Sequence, residues 1–594
     1  MSEKSWRDAL RRLGAAAVAY DLGDESIYLA EELVAQAWML GESERLALAL
    51  MVLAVSAAER QGSTRLPLRG DALGKRVAEL CRAAELALDP AAVVKQIRAL
   101  CADPRPGLVS LIGRPGEDRP LIATVEAVAT HRLHSCEVRL AAFVHQRLAA
   151  PPVPFIESTL DQVARSPVVL SGEQRAAVAF AASRSLAVVS GGPGTGKTAI
   201  SAALCRALVR NGTAPCAIFL AAPTGKAAQR LGASVRSALT GAEHEADRRL
   251  AAEMPEARTL HRLLGYEPES GRFRQHAGAP LRAEVVIVDE ASMVDLVLME
   301  RLARALAPAT RLVLFGDADQ LPSVEAGAVL RDLAALGACR LTKSYRMDEK
   351  DPAGRAILEA ARSVRAGKVG PWPSPDPAPA PRLVDAWFDT RIGGRWAELA
   401  RAAADLDSAR EEDLAELARH LEASRVLAVT RRLRRGTEAL NGLFHRRAAA
   451  ALGITHPGRS DFLPGEPVVV RENDHARGLY NGDCGLVAAA GHGASGLRAV
   501  FSGQDGAWRV FPLAALRPRL ELAYALTVHQ SQGSEYDHVA LVLPDADMPL
   551  ATRELVYTAL TRARRTVALF GSAEVLRAAV ARSAERFSGL SAAL

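Results

Sequence analysis

At 594 residues the chain is too long for a single hydrophobic core, so several domains are expected. Its composition, 49% hydrophobic and 24% charged, is that of an ordinary soluble globular protein, and with aromatics at 5% the cores must rest on Ala, Leu and Val. A net charge of +6 and a pI near 9.0 permit nucleic-acid binding without demonstrating it. The longest uncharged apolar run, Leu46 to Ala58, is bracketed by Glu44, Arg45, Glu59 and Arg60. It is too short for a bilayer and reads as a buried core helix. The stretch Met1 to Asp8 lacks an apolar signal core, so a cytoplasmic location with no membrane partner is expected. Seven scattered cysteines without a Cys-x-x-Cys pair fit neither a zinc site nor an iron–sulfur cluster, and suit reduced thiols. Only eight of the 74 basic residues are lysine. A lysine retained in so arginine-rich a chain points to a place where a compact ammonium is needed, and Lys197, Lys226 and Lys343 all fall in motifs below.

In chain order, residues 1–150 are rich in Ala, Leu, Glu and Arg with helical periodicity and carry no chemical motif. Pro151, Pro152 and Pro154 mark a boundary. From about 160 to 345, short apolar runs (Leu186–Ser190, Ala217–Ala221, Val285–Val288, Leu312–Phe315) alternate with helical stretches. That alternation predicts an α/β fold with a parallel sheet covered on both faces. Gly370–Pro381, with proline at every second position, should be an extended linker or surface loop. A second α/β region begins near Arg425 and resumes after 520. Between them Val468–Val470, Gly485–Val487, Leu497–Phe501 and Trp508–Phe511 read as strands, with a turn at Asn481-Gly482-Asp483. They predict a small β-barrel inserted at about 460–520.

Gly191-Gly-Pro-Gly-Thr-Gly-Lys197-Thr198 follows an apolar strand and opens a helical segment, the context a P-loop requires. Gly192, Pro193, Gly194, Thr195 and Gly196 would let backbone N–H groups approach the phosphates of ATP. Lys197 would reach the β- and γ-phosphates, and the Thr198 hydroxyl would ligate Mg²⁺. About ninety residues later, Val285-Val-Ile-Val-Asp289-Glu290 ends an apolar strand in two carboxylates. Asp289 would hold Mg²⁺, and Glu290 would activate the attacking water.

Further stretches resemble the ordered motifs of superfamily-one helicases. These are Pro223-Thr-Gly-Lys226-Ala-Ala, Thr259-Leu-His261, Gly316-Asp-Ala-Asp-Gln320, Lys343-Ser-Tyr345-Arg346, Thr527-Val-His-Gln-Ser-Gln-Gly533-Ser-Glu535 and Val556-Tyr-Thr-Ala-Leu-Thr561-Arg562. The wording of Ala221-Ala-Pro-Thr-Gly-Lys-Ala-Ala, Val324-Glu-Ala-Gly-Ala-Val-Leu330 and Arg553-Glu-Leu-Val-Tyr-Thr-Ala559 is similar to the RecD family in particular. The resemblance implies two RecA-like motor domains (151–345 and 346–594), an SH3-like inserted barrel and a helical N-terminal partner-docking domain. It also implies a 5′→3′ DNA helicase within a RecBCD-type helicase–nuclease acting in double-strand break repair and recombination, with RecB-like and RecC-like subunits as partners. The nuclease site then belongs to the RecB-like chain, so Asp348-Glu-Lys350 is read as no nuclease site.

The same resemblance implies roles. Gln320 senses the γ-phosphate, and Arg346 and Arg562 stabilise the transferring phosphoryl group. Tyr345 stacks on adenine, Gln174 reads its edge while also forming a capping box with Ser171, and Glu535 belongs to the nucleotide site. Thr224, Lys226, His261, Thr527 and His529 would contact the DNA backbone, where hydroxyl, ammonium and imidazole donors suit phosphate oxygens. Gln530 stands where related sequences commonly have Lys, which removes one charge from that path. The alternatives are a stand-alone helicase and a non-catalytic clamp. The full set Lys197, Glu290, Gln320, Arg346 and Arg562 argues against the clamp, and the absence of a long N-terminal extension against the stand-alone enzyme.

Overall fold

The computed structural model describes residues 4–17, 22–103, 106–164, 169–345, 352–370, 375–403, 406, 410–454, 462–474, 476–490, 496–503 and 507–593. The apolar run Leu46 to Ala58 lies within the helix Glu42–Arg60 and is buried except for Ser56. A helix apolar all round needs cover on every side. Lys4–Ala17, Asp24–Gln36, Ala72–Ala83 and Pro90–Ala102 provide it. A small sheet joins them, built from β1 (Leu66–Pro67), β2 (Ile112–Gly113), β3 (Leu121–Ala123) and β4 (Ala127–Thr130) in the order β1-β4-β3-β2. Strands of two to four residues leave no periodic signal, which is why this end of the chain reads as purely helical.

The N-terminal core closes at Val128. The next helix, His131–Leu148, lay on the N-terminal side of the boundary expected at 150, yet it packs against the first motor domain. Leu133, Leu140 and Val144 share a core with Val286, Leu302 and Leu314. Arg147 ties the helix there through bonds to the carbonyls of Ala307, Pro308 and Thr310 at 2.6–2.7 Å.

The first motor sheet contains β5 (Leu186–Gly191), β6 (Ile218–Ala222) and β7 (Arg258–Thr259). A short hairpin follows, β8 (Tyr266–Glu267) and β9 (Arg272–Phe273), and then β10 (Val285–Val288), β11 (Arg311–Gly316) and β12 (Cys339–Leu341). The sheet order is β12-β5-β11-β10-β6-β7, all parallel. The four strands visible in the sequence form its centre, where burial on both faces selects continuous apolar runs. The missed strands, β7 and β12, are its short edges.

Four helices (Pro352–Arg365, Ala380–Trp387, Gly393–Ala403, Glu411–Glu422) lead to β13 (Ser424–Ala428). Asp376 in the proline-rich stretch runs extended beside Phe570, and a helix begins at Ala380, within the segment expected to be an extended linker or surface loop. Then β14 (Pro467–Val470), β15 (Cys484–Ala489), β16 (Leu497–Ser502) and β17 (Trp508–Pro512) form an antiparallel meander, and β18 (Leu520–Leu522) returns beside β14. The second motor sheet resumes with β19 (Ala525–Thr527), β20 (Tyr536–Val542) and β21 (Ala563–Phe570), in the parallel order β19-β13-β20-β21.

The tail then crosses back over both other units. Arg586 donates to the carbonyls of Ser323, Glu325 and Gly327 at 2.6–3.2 Å. Gly589 N donates to the buried Glu137 carboxylate at 2.6 Å, which also accepts from Arg65 at 2.7 Å. All seven cysteines are unpaired, and among the described residues no cluster of ligands suits a metal ion and no helix is long and apolar enough to cross a membrane.

Candidate active site

Three neighbouring parallel strands carry the chemistry. Since β5, β11 and β10 lie side by side, the loops after them converge at one edge of the sheet, where open α/β folds bind ligands. After β5, Gly194 and Gly196 take φ of 75° and 83°, a left-handed backbone that only glycine adopts freely. A Cβ on Gly196 would also stand 2.3 Å from Gln174 Nε2. Thr195 Oγ1 donates to Gly192 O at 2.9 Å, and Lys197 Nζ donates to Gly191 O and Gly192 O at 2.5 and 3.1 Å. Lys197 and Thr198 open the helix Lys197–Arg210 and form part of the cavity wall.

After β10, Asp289 Oδ1 accepts from Glu290 N at 2.9 Å. Glu290 itself takes φ 51°. For a residue with a Cβ that conformation costs on the order of 1 kcal/mol or more, and it is held at the point where the carboxylate joins the cavity wall. Burial first, and then the neighbouring Glu290 charge, push the Asp289 carboxyl up to about 6, with Lys197 and Arg230 opposing.

After β11, Ala318 N donates to Ser190 Oγ at 3.2 Å, fixing this loop to β5. Gln320 Nε2 donates to Asp317 Oδ2 at 2.9 Å, and its Oε1 accepts from Arg562 Nη2 at 3.0 Å. Arg562 is 4% exposed, and its other nitrogens donate to Thr558 O and Ser534 O at 3.3 and 3.1 Å. The same junction holds Tyr557 Oη to Asp317 Oδ2 (3.1 Å), Leu321 N to Thr558 Oγ1 (2.9 Å) and Gln532 Nε2 to Leu321 O (2.9 Å). The second motor domain thus closes one side of a cavity of about 270 Å³ whose other walls are Pro193 to Thr198, Asp289, Glu290 and Gln320.

Most residues expected at a nucleotide site meet here, including Tyr345 and Glu535. Tyr345 N donates to Gly194 O at 2.7 Å and the Lys343 ammonium stands 5.3 Å from its ring centre, while Ser344 Oγ donates to Pro193 O at 3.1 Å. Gln174 lies behind the loop rather than on the wall. Its amide completes the capping box with Ser171 and donates to Thr195 O at 3.1 Å. Arg346 and Asp348-Glu-Lys350 lie outside the described residues. Arg230 was missed. It lines the cavity from the helix Gly225–Leu239 and pairs with Glu535 at 2.6 Å. The readable signal was its place four residues after Lys226, one helical turn on.

A second, larger cavity of about 1040 Å³ runs between the helices Gly225–Leu239 and Glu411–Glu422 and the inserted sheet. Seven cations (Lys226, Arg236, Arg258, Arg262, Arg419, Arg425, Arg509) face three carboxylates along it, with Tyr480, Phe501 and Trp508 among them. A cationic groove with interleaved aromatics suits a single nucleic-acid strand. Of the five residues expected to contact DNA, Lys226 lines this groove. Thr224 Oγ1 caps its helix by accepting from Ala227 N, and Thr527 exchanges bonds with Gln530, whose amide folds back onto it. His261 packs against Tyr266 and Phe273 of the β8–β9 hairpin. Burial and then Arg586 lower His529 to about 4, so its imidazole is neutral at physiological pH. The groove cations other than Lys226 escaped notice because so many arginines leave no single one distinctive.

Comparison with known proteins identifies relatives of the chain. Residues 174–326 match the AAA domain family and 522–570 the UvrD-like helicase C-terminal domain. The RecBCD enzyme subunit RecD of Mycobacterium tuberculosis is 41% identical over 451 residues, covering 70% of this chain and 72% of that one. That of Haemophilus influenzae is 31% identical, covering 70% and 71%. The ATP-dependent RecD2 DNA helicase of Deinococcus radiodurans is 34% identical, covering 80% and 60%. A solved Pif1 helicase from Candida albicans aligns at TM-score 0.39 and 17% identity, covering 69% of this chain and 96% of that one. With its ordered motifs gathered on two parallel sheets, the chain belongs to the RecD family of superfamily-one DNA helicases.

Proposed function

We propose that ATP binds in the cavity between the motor sheets and that its hydrolysis drives the helicase along one DNA strand held in the cationic groove. The observation that carries this reading is the Gln320–Arg562 bond at the cavity wall, which joins the phosphate-binding sheet to the second motor domain. Lys197 and Arg562 would neutralise charge that builds on the transferring phosphoryl group, and Glu290 would take the proton of the attacking water. Tyr345 offers a ring face to adenine. Gln174 holds the P-loop from behind through Thr195 O. The hard oxygen set of Asp289, Glu290 and Thr198, with the Asp289 carboxyl raised by burial and then by the adjacent Glu290 charge, fits a divalent cation. Thr198 and Asp289 would hold Mg²⁺, which would supply charge neutralisation on the phosphates.

The inserted sheet is read as an SH3-like barrel, supported by its four-strand meander and the fifth strand returning beside the first. Movement in the 5′→3′ direction, and a heterotrimer with RecB-like and RecC-like subunits that carry the nuclease and the scaffold, rest on the family likeness. The N-terminal unit supports the second point. It exposes the large apolar side chains Tyr28, Trp38 and Met39 at 69, 56 and 73%, of which the adjacent Trp38 and Met39 offer a contact point for a protein partner.

Lys197→Ala and Glu290→Gln are each expected to abolish DNA-stimulated ATP hydrolysis, while Glu290→Gln still binds nucleotide because only the base is lost. Near-normal turnover in either would contradict the assignment. Lys cannot reproduce the planar fork of arginine. Arg562→Lys should therefore lower turnover strongly yet keep ATP affinity within about tenfold, a shift of about 1.4 kcal/mol. Replacing Trp38 and Met39 together with Asp should leave ATP hydrolysis by the isolated chain unchanged but release it from co-purifying RecB-like and RecC-like subunits. Stoichiometric co-purification of that variant would place the partner contact elsewhere.

A further inference from the structure

Arg230 has no part in the chemistry described so far, although it stands on the cavity wall beside the groups that act on the terminal phosphate. Its helix, Gly225–Leu239, lies between the two cavities. Ala227 and Arg230 face the smaller one, while Lys226, Gln229 and Arg236 face the groove. Glu535, from the second motor domain, accepts from Arg230 at 2.6 Å and is braced from behind by Arg564 at 3.1 Å. Enclosure works against the charge on Arg230, and Glu535, then Glu290 and Asp289, outweigh it. A guanidinium that faces a carboxylate pair on the P-loop side and is steadied from across the cleft has the fork geometry that grips phosphate oxygens.

We propose that Arg230 is a further arginine of the ATP site, supplied by the same domain as the P-loop, and that it binds the terminal phosphate with Glu535 positioning it from the opposite wall. This rests on the reading of the cavity as the ATP site. Arg230 forms no covalent bond and moves no proton. It stabilises negative charge that grows on the phosphoryl oxygens as the bond to the leaving diphosphate breaks. Because Lys226 sits one turn earlier on the same helix and lines the groove, the phosphate contact also gives the nucleotide a rigid connection to the strand groove.

The test compares ligands with and without a terminal phosphate on the full chain. In Arg230→Gln, affinity for ATPγS should fall at least about tenfold, affinity for ADP should stay within about twofold, and turnover should fall at least about tenfold. Arg230→Lys, which keeps the charge and loses the fork, should lie between. Arg230 has 43% of its side chain exposed, so these variants are expected to fold. Glu535→Gln, which removes the group that positions Arg230, should weaken ATPγS binding in the same direction by a smaller factor and leave ADP within about twofold. Equal loss of both ligands in Arg230→Gln, or unchanged ATPγS binding and turnover, would overturn the proposal. Lys197→Ala serves as the control: if it keeps full ATPγS affinity, the reading of the cavity fails instead.

Discussion

The Arg562 guanidinium is almost fully removed from water, and a buried charge costs several kcal/mol unless its donors find partners. Each of its nitrogens does, but the partners come from two domains, Gln320 from the first motor sheet and Thr558 and Ser534 from the second. The charge is therefore satisfied only when the domains stand in register. Leu321 extends the same constraint, its N–H and C=O taken by Thr558 and Gln532. The cavity wall, the junction and the relative placement of the sheets follow from meeting these polar demands together.

A second consequence concerns distance. The smaller cavity and the cationic groove lie on either side of one helix, Gly225–Leu239, whose first turn carries Lys226 and whose second carries Arg230. Helices transmit rotation and translation with little deformation, so a change at one wall reaches the other within a single element. The C-terminal tail adds a longer path. Arg586 holds the carbonyls of Ser323, Glu325 and Gly327, just beyond Gln320, and Gly589 continues to Glu137 beside the N-terminal unit.

The readable parts of the sequence were those where one residue type meets a strong local demand. Gly194 and Gly196 are required by left-handed backbone, and Val285 to Val288 by burial on both faces of a sheet. The motif order identified the family, and with it two motor sheets. The strands β1 to β4, β7, β12 and β18 were invisible because two to four residues cannot show a period. The helix His131–Leu148 shares a core with the first parallel sheet, which its periodicity could not show because amphipathicity says that a face is buried without saying against what. Thr224, Thr527 and His261 are expected at DNA from their motifs, and within the chain their side chains take part in a helix cap, a turn and a hairpin contact. Arg230 and the groove arginines were hidden by abundance, and only the fold separates those that face a cavity from those that face water.

The junction at Leu321 is the most direct place to test whether the two cavities are coupled through the domain contact. The measurement is the factor by which single-stranded DNA stimulates ATP hydrolysis in Thr558→Val and in Gln532→Ala. Neither residue lines the nucleotide cavity or the groove. Hydrolysis without DNA should persist in both while the stimulation falls toward one. Full stimulation in both variants would show that coupling between the cavities does not pass through this contact.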